Sequence, residues 1–365
     1  MKICFLGSAN SAHMVKWCNW FNARGHEVHV ISFTPGDIAG ARVHLIDLGV
    51  DAEGSDMGKL KYLLSGKRIK RLIQDIRPDV VNAHYATSYG AALALSGLKG
   101  YVLSVWGSDI YDFPKKSPLH RALLKYSLKK AGTLFSTSRA MAAEAAKYTD
   151  RAFEITPFGV DMSLFNPNKR SRPDTAKDQQ DFVLGTVKGL SDKYGIAYIL
   201  EAVAALKKEN QIPLRLRIAG KGPQEQEYRK LAEKLGISDI TSWLGFITQQ
   251  QAAEEWANMD VAIIPSTLES ESFGVSAVEA QACGTPVIIS DIPGLMEATD
   301  PGKSSIVVGR SQSVGIAEAL KKIYHDGDLH RSMKEHGLAY VHEHYELNKC
   351  FLHIEALLKK AAIKD

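Results

Sequence analysis

The sequence is poor in cysteine and has no long apolar run. Its four cysteines, among 365 residues, are widely spaced and form no CxxC pair, which excludes a disulfide scaffold and indicates reduced thiols. No run approaches the roughly 18 apolar residues of a membrane-spanning helix. The N-terminal sequence MKICFLGSAN enters a strand without a hydrophobic segment of signal-peptide length. We therefore expect a cytoplasmic protein.

Motifs of metal enzymes and of dinucleotide-binding enzymes are also missing. No HExxH motif is present, and we predict no metal site and no bound cofactor. The segment GSANSAH, which follows the predicted first strand Lys2–Leu6, departs from the GxGxxG pattern. Gly7 and Ser8 are still expected to approach a ligand at the end of that strand, although a plain tight turn accounts for them equally well.

Charge is unevenly distributed along the chain. Residues 1–165 contain 21 Lys and Arg against 14 Asp and Glu, whereas the remainder contains 24 against 27. The basic half is expected to meet something anionic. Two of its segments, 59–77 and 119–130, have the pattern of basic amphipathic helices. Packing on their own sheet and docking on an anionic membrane surface are both consistent with that pattern.

The length of the chain favours two domains over a single core. Strand and helix patterns alternate in both halves, which predicts an α/β protein with two Rossmann-like units. We place the first domain at 1–165 and a polar linker without apolar periodicity at 166–181. The second domain is placed at 182–346, and a last helical segment at 347–365.

One βαβ unit stands out in the second domain. The apolar runs 261–264 and 287–289 are typical of buried parallel strands, and 274–283 is predicted to be a helix between them. Ligands bind at the carboxyl ends of strands in such sheets. The backbone N–H groups near Gly274 and Val275 therefore suit an anionic group such as a diphosphate.

Two pairs of charged residues accompany this unit. Glu271 and Glu279 lie eight positions apart, a little over two helical turns, so both carboxylates could accept hydrogen bonds from sugar and ribose hydroxyls. The spacing alone fits a capping glutamate and a solvated one equally well. Lys188 and Lys193 follow another predicted strand, where two cations could bind a diphosphate or simply be solvated.

The run PSTLESESFGVSAVEAQACGTPVIIS resembles the donor-binding signature of the family-4 retaining glycosyltransferases almost continuously. That family has the GT-B fold, in which two Rossmann-like domains face each other across a cleft and the last helix crosses back to the first domain. The resemblance implies that Glu271 contacts the donor sugar and Glu279 the nucleotide ribose. It also assigns to the donor site the residues Ser272, Phe273, Gly274 and Val275.

Other segments resemble the same family, with departures. Lys188 stands where the family has Arg, so the charge is kept and the bidentate geometry is lost, whereas Lys193 matches the family's Lys. The turn GKGPQEQE resembles the family's GxGP turn near the nucleotide, which places Gly222 in the donor site. Phe246 falls where the family borders the base.

The first domain resembles a bacterial subset of the family. The run SVWGSDIYDFP has Trp106 where many members have a His beside the donor sugar. Trp106 keeps an aromatic wall without a titratable group, and Asp109 is left as the ionisable candidate for a catalytic role. His84 follows the predicted strand 79–82 and is, with Trp106, a candidate for the acceptor side.

Together with these features, the resemblance implies a retaining, metal-independent hexosyltransferase that moves a sugar from a nucleotide-sugar donor to a glycan or lipid-linked acceptor. The expected process is synthesis of cell-surface polysaccharide or glycolipid, with a UDP-sugar favoured over a GDP-sugar by family frequency. An epimerase or phosphorylase of the same architecture, and a non-catalytic nucleotide-sugar-binding protein, are the alternatives. The protein is expected in the cytoplasm, docked reversibly at the inner membrane face, with no nucleic-acid partner.

Overall fold

The computed structural model describes residues 1–49, 61–172 and 181–362. The chain divides into two units, of which the second is Gly159–Lys349 and the first contains the remaining residues at both ends. Each unit is built around one parallel β-sheet with helices packed against it. The predicted α/β class with two Rossmann-like units is therefore confirmed.

The predicted boundaries of the domains stay predictions. The proposed linker at 166–181 falls partly on residues 173–180, which lie outside the described residues.

Within the described residues, seven parallel strands form the sheet of the first unit: β1 Lys2–Leu6, β2 Glu27–Ser32, β3 Ala41–Leu45, β4 Val80–His84, β5 Val102–Val105, β6 Thr133–Ser136 and β7 Glu154–Ile155. Their order in the sheet is β3-β2-β1-β4-β5-β6-β7. The order reverses between β1 and β4, and the carboxyl ends of strands at such a switch point are where ligands bind in this kind of sheet.

The helices of the first unit pack their apolar faces on this sheet. They are α1 Ala12–Ala23, α2 Gly66–Ile76, α3 Tyr89–Leu95, α4 Ser108–Tyr111, α5 Pro118–Lys130 and α6 Arg139–Ala145, with a 3₁₀ turn at Phe113–Lys115. The predicted basic helices at 59–77 and 119–130 correspond to α2, which begins only at Gly66, and to α5; residues 59 and 60 lie outside the described residues.

Six parallel strands form the sheet of the second unit in the described part of the chain: β8 Phe182–Val187, β9 Leu214–Ala219, β10 Thr241–Gly245, β11 Val261–Ile264, β12 Val287–Ser290 and β13 Ser305–Val308. Their order is β10-β9-β8-β11-β12-β13. The runs that form β11 and β12 are buried along their whole length, as expected for strands covered on both faces.

The helices of the second unit connect these strands or follow the last of them. They are α7 Ile196–Glu209, α8 Glu225–Lys234, α9 Gln249–Asn258, α10 Val275–Ala282, α11 Pro293–Glu297, α12 Ser313–His325 and α13 Gly327–His344. Short 3₁₀ turns lie at Pro167–Lys169, Asp192–Tyr194 and Ser238–Ile240. Among the helices in the described ranges, none combines the length and the apolar character that crossing a bilayer requires.

The last helix, α14 Leu347–Ala361, returns to the first unit as predicted. Phe351 is fully buried, and its ring centroid lies 5.4 Å from those of Trp17 and Trp20 on α1. Such edge-on and tilted aromatic pairs add to the burial of apolar area. This aromatic cluster attaches the C-terminal helix to helix α1 of the first unit.

A buried carboxylate reinforces the attachment of α14. The two oxygens of Glu355 lie 2.9 Å from His26 Nε2 and 3.3 Å from Arg24 Nη2, and Lys359 lies 2.9 Å away on the same helix. Burial by itself raises the pKa of Glu355, but the hydrogen bonds from Lys359 and His26 outweigh it and lower the pKa to about 2. The carboxylate is therefore charged and paired throughout the physiological pH range.

We expect Phe351→Ala to lower the free energy of unfolding by about 3–5 kcal/mol, because it empties the aromatic cluster that holds α14. Leu352 is the matched control, since its side chain is 46% exposed one position away. Leu352→Ala should change the free energy by no more than about 0.5 kcal/mol. Urea unfolding followed by tryptophan fluorescence measures both, and equal losses in the two variants would contradict the packing described.

Candidate active site

Charged side chains meet at the carboxyl ends of β8 and β11, which are neighbours in the second sheet. Lys188 directly follows β8, and its Nζ donates a hydrogen bond of 2.8 Å to Glu271 Oε1 in the loop after β11. Both side chains are largely buried. Lys193 Nζ donates to the carbonyl oxygen of Ser270 at 3.2 Å. The structure thus brings together three of the predicted catalytic residues.

Helix α10 begins beside these charges. Gly274 caps it in the left-handed region, with φ of +73°, which a residue with a side chain rarely adopts. Ser276 Oγ donates to the Val187 carbonyl at 3.1 Å and ties the helix start to the end of β8. The first N–H groups of a helix have no intrahelical acceptor, so α10 directs its positive end, beginning at Val275, toward this edge of the sheet.

The other residues predicted for the donor site differ in exposure. Ser272 and Phe273 are buried, and the ring of Phe273 packs edge-on against Tyr345 at 5.3 Å. Their packing fixes the loop that carries Glu271. Glu279 is half-buried on α10, about one turn from the helix start. Phe246 follows β10 with 74% of its surface exposed, so its ring is accessible to a ligand.

Gly222 lies where only a glycine fits. A Cβ at this position would be 2.1 Å from the carbonyl oxygen of Leu190. The close approach packs the GKGP turn against the loop that contains Lys188 and Lys193. The predicted contact of Gly222 with a nucleotide stays a prediction, while its contact with this loop is a feature of the structure.

Two residues at this site were missed in the sequence. Ser270 Oγ is buried and has no hydrogen-bond partner among the described residues. Tyr194 lies beside both lysines, with its ring centroid 4.9 Å from Lys188 Nζ and 5.5 Å from Lys193 Nζ. The position of Tyr194 directly after Lys193 was a usable signal, whereas nothing local distinguishes Ser270 from the other serines of its loop.

The first unit gathers a second group of predicted residues at the ends of β1, β4 and β5. Ser8 Oγ lies 2.6 Å from Asn10 Oδ1 and 2.7 Å from Thr34 Oγ1, so its hydroxyl holds the loop after β1. The N–H of Gly7 donates to the Ile31 carbonyl at 3.1 Å. Both residues lie at the switch point of the sheet, as expected for a position near a ligand.

His84 is the last residue of β4, not a residue of the loop beyond a strand ending at 82, because β4 continues its parallel pairing up to Ser104 of β5. The side chain is consequently buried. Its Nε2 lies 3.0 Å from Asn82 Oδ1, and its ring centroid lies 4.4 Å from that of Trp106. Its Nδ1 has no hydrogen-bond partner among the described residues.

A second imidazole lies close to this one. His13, in the first turn of α1, stacks on Phe158 with 4.2 Å between ring centroids and lies edge-on to Trp106 at 5.8 Å. Burial lowers the pKa of His84 to about 3, and the charge of His13 contributes. Burial, with the charge of Lys16, lowers the pKa of His13 to about 4. Both rings are therefore neutral at pH 7.

The side chain of Asp109 holds the loops around Trp106 by hydrogen bonds. Its carboxylate is buried and accepts the backbone N–H groups of Ala86 at 2.9 Å, Gly107 at 2.8 Å and Trp106 at 3.2 Å. Burial raises the pKa of Asp109, and these three N–H groups act against the rise. The geometry favours a positioning role for Asp109, and the catalytic role expected from the sequence stays a prediction.

Comparison with known proteins agrees with this architecture. Residues 2–138 match the family model described as glycosyl transferase 4-like, and residues 167–339 match that described as glycosyl transferases group 1. A curated relative, the D-inositol 3-phosphate glycosyltransferase of Pseudarthrobacter chlorophenolicus, is 30% identical over 71% of this chain. The chain spans 66% of the length of that relative.

Solved structures resemble the whole chain. Sucrose-phosphate synthase from Thermosynechococcus elongatus matches with a TM-score of 0.83 at 18% identity, over 99% of this chain and 98% of its own. HepE from Anabaena, solved in complex with UDP-glucose, matches with a TM-score of 0.78 at 18% identity, over 99% and 100%. The two family models place the chain among the glycosyltransferases, and the structural likenesses show its GT-B fold.

The ring signals of His84 and His13 should keep the NMR shifts of neutral imidazole from about pH 8 to about pH 5, because their folded pKa values of about 3 and 4 lie below that range. In the unfolded chain the two rings titrate near pH 6.5. Below about that pH the unfolded state therefore binds more protons than the folded state, and the free energy of unfolding decreases as the pH is lowered. His84→Asn and His13→Asn assign the signals. A folded-state midpoint near 6.5 for either ring contradicts the burial described.

Proposed function

We propose that this protein is a retaining hexosyltransferase that moves a sugar from a UDP-sugar to a glycan or lipid-linked acceptor, with no metal and no cofactor. The observation that carries the proposal is the grouping of Lys188, Lys193, Glu271 and the start of α10 at the ends of β8 and β11. Such a group of cations and helix N–H donors fits a diphosphate. The complex of HepE with UDP-glucose, in the same fold, supports the choice of UDP over GDP.

In this proposal the positive charges act on the leaving group. When the bond between the anomeric carbon and the phosphate oxygen breaks, negative charge develops on the diphosphate. The ammonium of Lys193 and the start of α10 stabilise that charge, and preorganised donors of this kind are among the largest contributions to catalysis. Lys188 has three N–H donors and gives one to Glu271, so two remain for phosphate oxygens.

The two glutamates orient the donor. Glu271 is held by Lys188 at the carboxyl end of β8 and orients hydroxyl groups of the sugar, while Glu279 orients the ribose. The acceptor hydroxyl attacks the anomeric carbon from the face that the diphosphate leaves. Its proton passes to the departing phosphate oxygen, so the new bond keeps the configuration of the old one and no protein base is needed.

We place the acceptor on the first unit, against the aromatic group of Trp106, His13 and Phe158. Aromatic faces and neutral imidazoles suit a hydroxylated ring, because they offer apolar stacking together with hydrogen bonds that carry no charge. The buried His84 behind Trp106 has its Nδ1 unpaired among the described residues and is available to a small polar group or water.

We expect Lys193→Ala and Glu271→Ala each to reduce transfer from a UDP-sugar by about a hundredfold or more while the protein stays folded, because each removes a group that acts on the donor. Glu269→Ala is the matched control in the same loop, where Glu269 pairs with Arg310. Transfer is measured with UDP-sugar and GDP-sugar panels, and the anomeric configuration of the product by NMR.

Three results would overturn this assignment. Full transfer by Lys193→Ala or Glu271→Ala would remove these residues from the mechanism. An inverted product would exclude the retaining mechanism. Conversion of the donor to an isomeric nucleotide sugar without any acceptor would identify an epimerase.

We further propose that the protein works in the cytoplasm, docked on the inner membrane face. Helix α2 buries Ile69, Ile73 and Ile76 in its own unit and exposes the basic side chains of Lys67, Arg68 and Arg71. Leu64, just before it, is 77% exposed. Helix α5 buries Leu124 and Leu128, and its first turn leaves Leu119 77% exposed. Exposed leucines beside basic side chains suit an anionic lipid surface.

Co-sedimentation with liposomes tests this docking. Each Lys or Arg near an anionic leaflet contributes about 1 kcal/mol, so binding should require anionic lipid and weaken with added salt. Changing Lys67, Arg68, Lys70 and Arg71 to Glu should abolish it. The charge reversals Lys230→Glu and Lys234→Glu, on α8 of the second unit, are the control. Equal recovery in the supernatant with neutral and anionic vesicles at low salt would point to an acceptor free in solution.

A further inference from the structure

The aromatic ring of Tyr194 lies close to both lysines of the donor site. Lys188 Nζ is 4.9 Å and Lys193 Nζ 5.5 Å from its ring centroid, both within the roughly 6 Å over which an aromatic face attracts a cation. One ring therefore contacts both ammonium groups. We propose that Tyr194 is a positioning residue that holds the two ammonium groups together in the arrangement that binds a diphosphate.

The need for such a residue follows from the chemistry of lysine. Two ammonium groups held near each other repel, and each ends a flexible chain of four carbons that loses rotamer freedom when it is fixed. An arginine fork is planar and partly preorganised, and neither residue of this pair is an arginine. The negative face of an aromatic ring lowers the repulsion and restricts both side chains at once.

The hydrogen bonds to Glu271 and to the Ser270 carbonyl hold the two lysines separately, whereas the ring contacts both. Glu271 holds only Lys188, at 2.8 Å, and the Ser270 carbonyl holds Lys193, at 3.2 Å. Glu271 is also the residue proposed to orient the donor sugar, so its carboxylate has a second partner when the donor is bound. Tyr194 carries no charge that would compete for the phosphates, and its ring attracts both cations without neutralising either.

The main chain fixes the position of the ring. Tyr194 ends the 3₁₀ turn Asp192–Tyr194, and its N–H donates to the Ser191 carbonyl at 2.9 Å. Thr267, in the loop after β11, donates its N–H to the Lys193 carbonyl at 2.8 Å and its hydroxyl to the Asp192 carbonyl at 3.1 Å. On the other side, Asp192 accepts from Tyr228 Oη at 3.1 Å. The turn is therefore tied to both sides of the site.

The hydroxyl of Tyr194 takes no part in this role. It has no hydrogen-bond partner among the described residues, whereas the ring is half-buried against the two lysines. Burial raises the pKa of Tyr194, so the phenol is neutral at pH 7 and adds no charge to the site. Phenylalanine should therefore replace it, and leucine, which has a comparable apolar bulk without a π face, should not.

The test uses inorganic pyrophosphate, UDP and uridine as calorimetric probes of the full chain. Tyr194→Phe should bind all three as the wild type does. Tyr194→Leu should bind pyrophosphate and UDP roughly tenfold to a hundredfold more weakly, from the loss of two cation–π contacts, and uridine unchanged. A loss of packing alone would weaken uridine as well, or lower the melting temperature, so the difference between probes isolates the effect on the diphosphate.

This inference rests on the proposed function only in taking a diphosphate as the ligand. Selective loss of pyrophosphate and UDP binding in Tyr194→Leu, in a protein that transfers no sugar, would refute the proposed function and keep the role of Tyr194. Wild-type affinity of Tyr194→Leu for pyrophosphate would overturn the role of Tyr194. The same holds for an equal loss in Tyr194→Phe, or for a wild-type protein that does not bind pyrophosphate.

Discussion

The candidate site of the second unit depends on the positive charges at the carboxyl ends of β8 and β11. Lys188 is largely buried, and a buried charge is costly unless it is paired, so its bond to Glu271 fixes both the lysine and the loop after β11. The other features of the site depend on the same edge: α10 starts there, Ser276 ties that start to β8, and Tyr194 packs against both cations. Together they form a site preorganised for an anion.

The corresponding edge of the first unit keeps its polar groups neutral or satisfied. His84 and His13 lie among aromatic rings, and burial holds both imidazoles uncharged. The carboxylate of Asp109 accepts hydrogen bonds from three backbone N–H groups. Apart from Lys16, whose charge acts on His13, this edge offers uncharged groups, which is compatible with the hydroxylated acceptor that we propose. In the proposed reaction, the charged diphosphate of the donor therefore binds to the second unit and the uncharged ring of the acceptor to the first.

The last helix holds the C-terminal end of the chain on the first unit, and this role is separate from the chemistry of the two sites. Phe351 and Glu355 attach α14 to α1 and to the residues before β2 in the first unit, although the first three residues of the helix belong to the second unit. The attachment combines the burial of a large aromatic side chain with a carboxylate whose hydrogen bonds outweigh its desolvation. The two ends of the sequence are therefore held in one unit.

The sequence by itself determined the α/β class, the βαβ unit around Glu271 and the two basic helices, because apolar periodicity and helix-breaking residues act over short distances. The return of the last helix was implied only by the resemblance to the GT-B family. Only the tertiary structure decided which groups meet. It paired Lys188 with Glu271, 83 positions away, and made His84 the last residue of a strand. It also directed three backbone N–H groups at Asp109 and brought Tyr194 close to both lysines. Local pattern cannot specify such contacts, since they depend on which strands become neighbours in the sheet and on which side chains burial leaves without water.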